Sequence, residues 1–313
     1  MKIVFMGTPE FAAICLERIF ESEHEVVGVV TVPDKPAGRG QKLAQSAVAK
    51  LALEKDLTLL QPEKLKNPEF VNALQDLNAD AFVVVAFRML PKEVWQIPQK
   101  GTFNLHASLL PDYRGAAPIN WAIINGETES GVTTFLIDEK IDTGNILLNA
   151  KVPVLPDDNA GDLHDKLAET GKELIVETLN GLEKGIIVPQ AQPEVLVEKA
   201  APKIFREDCK INWNDSLENV HNKIRGLSPY PAAWTLLKSN DGEKQLKIYR
   251  GHFEFAEIDS ELINQIVIEK GSVKIVHSQG FYHVEELQPE GKRRMNAQDF
   301  VNGLNDKNGL QVG

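Results

Sequence analysis

Short apolar runs alternate with helical segments along the first hundred residues, and this alternation constrains the fold more than any other feature. It predicts strands and helices in turn at 2–7, 10–20, 25–32, 43–55, 57–60, 68–77, 81–87 and 101–105. The run AFVVVAF at 81–87 is the most hydrophobic and is typical of a strand buried on both faces. Strands joined by helices form a mostly parallel sheet covered on both faces. We therefore predict an α/β, Rossmann-like sheet whose ligands bind beyond the carboxyl ends of the strands.

The rest of the chain divides into three parts. Strands at 131–137 and 145–154 and an amphipathic helix at 162–182 extend the first domain, for which we predict the range 1–185. Three prolines and the lack of a helical period at 186–202 predict an extended linker, to which we assign 186–206. Many short alternating runs predict a small barrel or sandwich at 207–313, with one helix before the strands and one after them.

The net charge of −11 at first argues against a nucleic-acid partner, because phosphate contacts need clustered cations. The charge is unevenly distributed, however. Residues 1–200 hold 19 basic and 29 acidic residues, whereas residues 201–313 hold 15 and 16. The excess acid therefore lies almost entirely before residue 201, and the total does not exclude RNA.

Other sequence features predict the cellular location of the protein, the role of its cysteines and its oligomeric state. No apolar run approaches the ~20 residues that a membrane helix needs, and the start MKIVFMGTPEF has no signal-peptide pattern. Cys15 and Cys209 lie far apart without metal-ligand spacing, which predicts two buried or idle thiols. We expect a cytoplasmic protein without a membrane contact and without a metal. No exposed heptad or apolar stripe indicates a partner copy, so we expect a monomer.

The densest group of polar residues lies in FNLHASLLPDYRGAAP at 103–118. Asn104 and His106 are two residues apart on a predicted strand, so their side chains point to the same side. Histidine can act as a general acid or base, and asparagine can donate a hydrogen bond to a developing oxyanion. From these residues alone, a strand-end pair that only binds loop backbone is the favoured interpretation.

A second group lies in LIDEKIDTGNI at 136–146, where Asp138, Glu139 and Asp142 precede Gly144. An aspartate beside a histidine can orient the ring or relay a proton. The chemistry alone favours the simpler alternative, a hairpin loop in which aspartate and glycine form the turn.

Two groups of cations could contact phosphates. Lys35, Arg39 and Lys42 belong to a segment, 32–50, with a local charge of +3 and glycines on both sides of Arg39. In the second part, Lys203 and Arg206 end the linker, and further basic residues are Lys223, Arg225 and 292–294. For the segment 32–50, a phosphate-binding loop and a solvated surface loop are equally open. For the basic residues of the second part, charge alone favours ordinary solvated surface over a nucleic-acid surface.

Taken together, several phrases resemble one family. MGTPEFA, PDKPAGRG, NLHASLLPDYRGAAPINWAI, GVTTF, IDTGNILL and RGLSPYPAAW occur in this order and cover essentially the whole chain. The sequence resembles the methionyl-tRNA formyltransferases, within the wider group of 10-formyltetrahydrofolate-dependent formyltransferases. The resemblance implies formyl transfer from 10-formyltetrahydrofolate, a co-substrate and not a tightly bound cofactor, to initiator methionyl-tRNA. It also implies that the second domain is an OB-like β-barrel that binds tRNA.

The resemblance implies roles for individual residues. Asn104, His106 and Asp142 match the catalytic trio of the group. The residues that match folate contacts are Phe87, Arg88, Met89, Leu90, Ser108, Leu109, Leu110 and Pro111. Lys35, Arg39 and Lys42 match an inserted loop that approaches the acceptor end of tRNA, and Lys203 and Arg206 add to the tRNA surface.

The segment AFRMLP at 86–91 departs from the family pattern Ala-Tyr-Gly-x-Ile-Leu-Pro. Its Arg-Met-Leu is closer to the pterin pocket of glycinamide ribonucleotide formyltransferase, a shorter relative without a second domain. Two other functions stay open at this point. One is a tRNA- or folate-binding protein without transfer activity, against which the intact trio argues, and the other is a formyltransferase that acts on a small amine.

Overall fold

The computed structural model describes residues 1–37, 42–194, 199–240, 242–304 and 306–313, and these form two units. The first unit contains Met1–Gly115, Glu129–Pro153 and His164–Ala200. The second contains Ala116–Thr128, Val154–Leu163 and Ala201–Gly313. The boundaries drawn above at 185 and 206 stay a prediction.

The first unit is built on a seven-stranded sheet with the strand order β5-β2-β1-β6-β7-β8-β9. Its strands are β1 (Lys2–Gly7), β2 (Glu25–Val30), β5 (Leu59–Leu60), β6 (Ala81–Val85), β7 (Thr102–His106), β8 (Glu129–Leu136) and β9 (Ile146–Pro153). The pairs from β5 to β7 are parallel, and the β7–β8 and β8–β9 pairs are antiparallel. The predicted mostly parallel, Rossmann-like sheet is confirmed.

The helices of the first unit are α1 (Glu10–Phe20), α2 (Ala47–Glu54), α3 (Pro68–Asp76), α4 (Lys92–Trp95) and most of α6 (Ala160–Lys184). All five residues of β6 are buried, as the continuous apolar run predicts. Gly171 of α6 lies so close to the sheet that an added Cβ would come 2.8 Å from a methyl carbon of Leu105. A residue without a side chain therefore sets how closely this helix packs against β7.

The prediction of a helix from residue 43 is wrong at its beginning. β3 (Lys35–Ala37) and β4 (Lys42–Ala44) form an antiparallel hairpin, and α2 begins only after Ser46. The Ser46 hydroxyl accepts a hydrogen bond of 3.0 Å from the Ala49 amide, which makes Ser46 the N-cap. Leucine and alanine favoured a helix at 43–44, but backbone pairing between β3 and β4 outweighs this weak preference.

The second unit contains an antiparallel sheet with the order β12-β13-β14-β11-β10-β16, and β15 pairs with β14. Its strands are β10 (Ala233–Ser239), β11 (Gly242–Phe255), β12 (Ile266–Glu269), β13 (Ser272–His277), β14 (Gly280–Pro289), β15 (Met295–Asn296) and β16 (Gln311–Val312). The β11–β14 pairing shifts register twice near Arg250, and such bulges bend and coil a sheet. The sheet curls into a half-barrel, which confirms the OB-like prediction.

Three helices complete this unit: α5 (Pro118–Ile124), α7 (Leu217–Gly226) and α8 (Ala297–Asn302). α5 packs against α7, where a Cβ at Gly226 would come 2.6 Å from the Ile124 side chain. The α7 cations that were considered for a nucleic-acid surface include Arg225, which instead binds within the unit. Its guanidinium donates to the Asn222 side chain at 2.8 Å and to the Asp158 carbonyl at 2.9 Å.

His221 of α7 makes the stability of the second unit dependent on pH. Its ring packs edge-on against Phe253, with 5.3 Å between centroids. Burial, followed by the nearby Arg225 charge, lowers the pKa of His221 to about 4 from 6.5. The unfolded chain therefore binds this proton more readily than the folded chain, so stability is full above pH 6.5 and falls as the pH drops towards 4. The loss is on the order of 2–3 kcal/mol at pH 4.

We expect His221→Phe, which keeps an aromatic ring against Phe253, to reduce this pH dependence. The measurement is the free energy of urea unfolding of parent and variant at pH 7.5 and pH 5. The pH 7.5 pair is the control, because the parent histidine is neutral there. An equal loss of stability in both proteins at pH 5 would contradict the assignment.

Cys15 and Cys209 are both buried and free, as predicted, and burial raises the pKa of each thiol. Across the residues that the structure describes, no helix is long and apolar enough to cross a bilayer.

Candidate active site

The sheet brings the ends of three neighbouring strands to one edge. Gly7 at the end of β1 pairs with Val85 at the end of β6, and Val85 pairs with Leu105 of β7. The loops that leave β6 and β7 therefore begin side by side. These loops carry the predicted folate residues, and His106, one member of the predicted trio, ends β7. This is the edge at which open α/β sheets bind ligands.

His106 is held by a backbone group that the sequence did not reveal. The ring is buried, and its Nε2 lies 2.8 Å from the Tyr113 carbonyl oxygen. A carbonyl only accepts hydrogen bonds, so Nε2 carries a hydrogen and donates it. The side chain of Phe135 packs edge-on against the ring, with 6.5 Å between centroids. Both contacts fix the ring so that its other nitrogen, Nδ1, faces Asp142.

Asp142 lies within reach of His106 but does not bind it directly. Asp142 Oδ2 is 3.9 Å from His106 Nδ1, which exceeds hydrogen-bond distance. The same oxygen accepts a hydrogen bond of 3.0 Å from the Gly115 amide. The carboxylate is thus anchored to the loop that follows His106, and an atom that contacts both side chains can bridge the gap.

The loop that carries Asp142 is tightly shaped. Asp142 has a φ of 54°, in the left-handed region. A Cβ at Gly144 would come 1.7 Å from the Leu136 carbonyl oxygen, so only glycine fits there without a backbone shift. Thr143 donates to the Asp138 carboxylate at 2.9 Å. Asp138 therefore closes the loop while Asp142 faces the histidine, a division of roles that the sequence left open.

Asn104 lies on β7 two residues before His106, is half-buried, and pairs through its backbone with Val84 and Phe135. Among the described residues, no protein group forms a hydrogen bond with its side-chain amide. Its donor and acceptor atoms are therefore free for a bound molecule. The structure thus brings His106 and Asp142 to 3.9 Å and places Asn104 two residues before His106 on the same strand.

The predicted folate segment 108–111 is a compact loop held by Thr133. The Thr133 hydroxyl donates to the Ser108 carbonyl at 2.7 Å and accepts from the Leu110 amide at 3.2 Å. The Ser108 hydroxyl donates to the Asp112 carbonyl at 2.6 Å. The Ser108 hydroxyl therefore stabilises the conformation of the loop. Leu110 is buried, whereas Leu109 and Pro111 are half-buried beside it.

The other predicted folate segment, 87–90, contains residues in different environments. Arg88 donates to the carbonyl oxygens of Pro62 and Glu63 at 2.8 and 3.0 Å and lies over the Phe87 ring. Burial lowers the pKa of its guanidinium. Leu90 is buried in the apolar core, whereas Met89 is exposed. The arginine that departs from the family pattern therefore joins two loops.

The predicted tRNA residues are placed in part. Lys35 is exposed at the beginning of β3 and Lys42 begins β4, whereas Arg39 lies outside the described residues. On the second unit, Lys203 lies 5.4 Å from the Phe205 ring, and Arg206 lies 5.9 Å from the Trp234 ring. Phe205 is exposed, whereas Trp234 is half-buried. Cations beside aromatic rings occur on surfaces that bind single-stranded nucleic acid.

Within the described ranges, no group of three or more His, Cys, Asp or Glu side chains is arranged to hold a metal ion. The site is built from one imidazole, one carboxylate, one amide and backbone groups.

Comparison with known proteins places the chain in a family. Residues 1–179 match the family described as Formyl transferase, and residues 203–305 match the Formyl transferase, C-terminal domain. A methionyl-tRNA formyltransferase of Flavobacterium johnsoniae is 50% identical over 304 residues, which cover 97% of this chain and 96% of the relative. The chain belongs to the methionyl-tRNA formyltransferase family. The resemblance predicted from the motifs is confirmed, and the family is one of enzymes.

A second member of this family, from Flavobacterium psychrophilum, is 51% identical over 305 residues, covering 97% of this chain and 96% of the relative. A solved structure shares the fold at lower identity. The N-formyltransferase from Helicobacter canadensis, in complex with folinic acid and dTDP-3-aminofucose, has a TM-score of 0.63 at 21% identity. The match covers 94% of this chain and all of that chain.

Proposed function

We propose that the protein transfers the formyl group of 10-formyltetrahydrofolate to the α-amine of methionyl initiator tRNA and thereby forms N-formylmethionyl-tRNA for translation initiation. The observation that carries the proposal is His106 facing Asp142 at 3.9 Å, with Asn104 on the same strand. Membership of the methionyl-tRNA formyltransferase family over nearly the whole chain supports the acceptor. We assign catalysis to 1–185 and tRNA binding to 207–313, joined by 186–206, in a cytoplasmic monomer.

In this reaction the methionine amine attacks the formyl carbon, a C–N bond forms and the carbonyl oxygen becomes an oxyanion. The bond from the formyl carbon to N10 of the folate then breaks, and N10 receives a proton that the amine has lost. The protein must stabilise the oxyanion and move this proton.

Two members of the trio stabilise the oxyanion, and the third moves the proton. Asn104 donates a hydrogen bond to the oxyanion from its free amide. His106 presents Nδ1, because Nε2 is bound to the Tyr113 carbonyl; when protonated, Nδ1 donates to the same oxygen. Asp142 accepts the proton of the attacking amine, through a water that bridges the space beside His106, and delivers it to the leaving nitrogen. No metal and no tightly bound cofactor enters these steps.

We assign the folate to the edge formed by the loops at 86–91 and 107–113. Backbone groups of Phe87, Arg88, Met89 and Leu90 line one side in this proposal, and Ser108, Leu109, Leu110 and Pro111 line the other. The bonds from Arg88 to the 62–63 carbonyls and from Thr133 to the 108–110 backbone support it, because they make both loops rigid before ligand binds.

We assign the tRNA to the basic segment with Lys35, Arg39 and Lys42 and to the surface with Lys203 and Arg206. Arg39→Ala should raise KM for charged tRNA and leave KM for the folate unchanged, because phosphate contacts supply affinity without taking part in folate binding. Steady-state kinetics with each substrate varied in turn measure this. Lys66→Ala, an exposed lysine outside the segment, is the control. Parental KM values in Arg39→Ala would contradict the assignment.

The acceptor is tested by a comparison of amines. The protein is incubated with 10-formyltetrahydrofolate and either charged initiator tRNA or a nucleotide-linked amino sugar. We expect kcat/KM to be far higher for the tRNA. Activity on the amino sugar alone would show that the acceptor is a small amine, while formyl transfer would remain the reaction. Binding of the substrates without transfer to any amine would refute the enzymatic function.

A further inference from the structure

The segment after α6, which the sequence identifies only as a linker, contacts the loop of Asp142. We call residues 190–194 the strap. Gln190 and Ile146 exchange backbone hydrogen bonds of 2.8 and 2.7 Å. This pairing runs the strap alongside the beginning of β9, which directly follows the Asp142 loop.

The Gln192 side chain connects two loops of the site. Its Nε2 donates to the carbonyl oxygens of Asp142 and Gly144, each at 2.9 Å. Its Oε1 accepts from Arg114 Nη2 at 2.6 Å and from Arg114 Nε at 3.2 Å. One amide therefore ties the loop that carries Asp142 to the loop that follows His106.

These partners leave one orientation for the amide. Both groups on one side are carbonyl oxygens, which only accept, and both on the other side are guanidinium N–H groups, which only donate. A flipped amide would place oxygen against two carbonyls and nitrogen against two donors. Both N–H donors of the Gln192 amide thus bind acceptors, and its oxygen accepts from two donors.

Gln192 binds the Asp142 loop at its two most constrained positions, Asp142 and Gly144. Asp142 has a left-handed φ, and Gly144 lies against the Leu136 carbonyl, so the loop is held in a narrow conformation. Among the residues that the structure describes, the carboxylate accepts a hydrogen bond from the Gly115 amide, which lies next to Arg114. Through Arg114 and through the two carbonyls, Gln192 sets the separation of Asp142 from the segment that holds His106.

We propose that Gln192 is a positioning residue for Asp142 in formyl transfer. It does not touch the reacting atoms. Its amide holds the Asp142 loop at the distance from His106 at which one bridging atom contacts both side chains. This inference rests on the role proposed above for Asp142.

Gln192→Glu tests the proposal with the least change of shape. The carboxylate keeps the acceptor for Arg114, but it replaces the two N–H donors with an oxygen that repels the Asp142 and Gly144 carbonyls. We expect kcat to fall by about 10-fold to 100-fold, as for other small displacements of catalytic groups. KM for the folate and for the tRNA should change little, because the variant keeps the acceptor for Arg114 and the 108–110 backbone is held by Thr133.

The matched control is Gln190→Ala. Gln190 lies in the same strap with an exposed side chain, and its contact with Ile146 is made by the backbone, so its kcat should equal that of the parent. Gln192→Met, which is uncharged and of similar length, replaces the glutamate variant if that variant does not fold.

A double variant separates positioning from general damage. Adding Gln192→Glu to Asp142→Asn should lower kcat no further, because the group being positioned is already lost. A parental kcat in Gln192→Glu, or a full additional loss in the double variant, would overturn the inference. Asp142→Asn alone keeps the two proposals distinguishable: if it has a parental kcat, the proposed role of Asp142 fails, and if only the glutamine prediction fails, the role of Asp142 stands.

Discussion

Asp142→Asn should lower kcat by ~10²–10⁴-fold, the usual contribution of general acid–base catalysis. Asparagine keeps the size of the side chain and an oxygen that can accept from the Gly115 amide, so the loop retains its anchor. The variant lacks the carboxylate that takes a proton from the amine and returns it to the leaving nitrogen. KM for tRNA should stay near the parental value, because Asp142 lies against His106 and not among the cations assigned to RNA.

The measurement is formylation of charged initiator tRNA under saturating folate, with kcat and KM determined separately. Asp138→Asn is the control, because Asp138 lies in the same loop, where it binds Thr143. We expect Asp138→Asn to lower the free energy of unfolding and to leave kcat near the parental value. Near-parental turnover in Asp142→Asn would remove Asp142 from the mechanism.

Asn104→Ala should lower kcat by ~10²–10³-fold, which corresponds to the ~2.7–4 kcal/mol that one oxyanion donor contributes. Its amide makes no hydrogen bond to described protein groups, so truncation breaks no internal contact and the fold should persist. The loss should appear in kcat and not in KM for either substrate, because the donor acts on charge that develops only in the transition state.

Asn149→Ala is the control for this variant. Asn149 is an exposed asparagine of β9 in the same sheet, paired with Thr133 through its backbone. Its kinetics should match those of the parent. If Asn104→Ala raises KM and leaves kcat intact, Asn104 binds substrate in the ground state and is not an oxyanion donor.

The sequence predicted those parts of the fold that depend on local pattern. The runs at β1 and β6 are continuous and apolar, as is typical of central strands in a sheet, and the structure buries them accordingly. The positions of the strand ends follow from these runs. The edge of the sheet at which Asn104 and His106 lie could therefore also be predicted. The antiparallel β3–β4 pair was not predicted, because each strand has only three residues and Leu43 and Ala44 have ordinary helical preferences.

Contacts between distant residues could not be predicted in the same way. The carbonyl of Tyr113 that binds His106 is a backbone group, and no residue type marks it in a sequence. Gln192 lies 50 residues after Asp142 in a proline-containing segment without a period, where only an extended linker was indicated. Helix α5 was also missed, because its seven residues are too few to show a helical period.

The central claim is that Asn104, His106 and Asp142 catalyse formyl transfer to the amine of methionine on tRNA. A single-turnover experiment tests it most directly, with excess enzyme, 10-formyltetrahydrofolate labelled in the formyl carbon, and methionyl initiator tRNA. We predict that the label appears on the methionine α-amine in a rapid first-order phase, and that each of Asn104→Ala, His106→Ala and Asp142→Asn slows this phase while tRNA binding persists. Rapid labelling at the parental rate in all three variants, or no labelled methionine with the parent, would contradict the account.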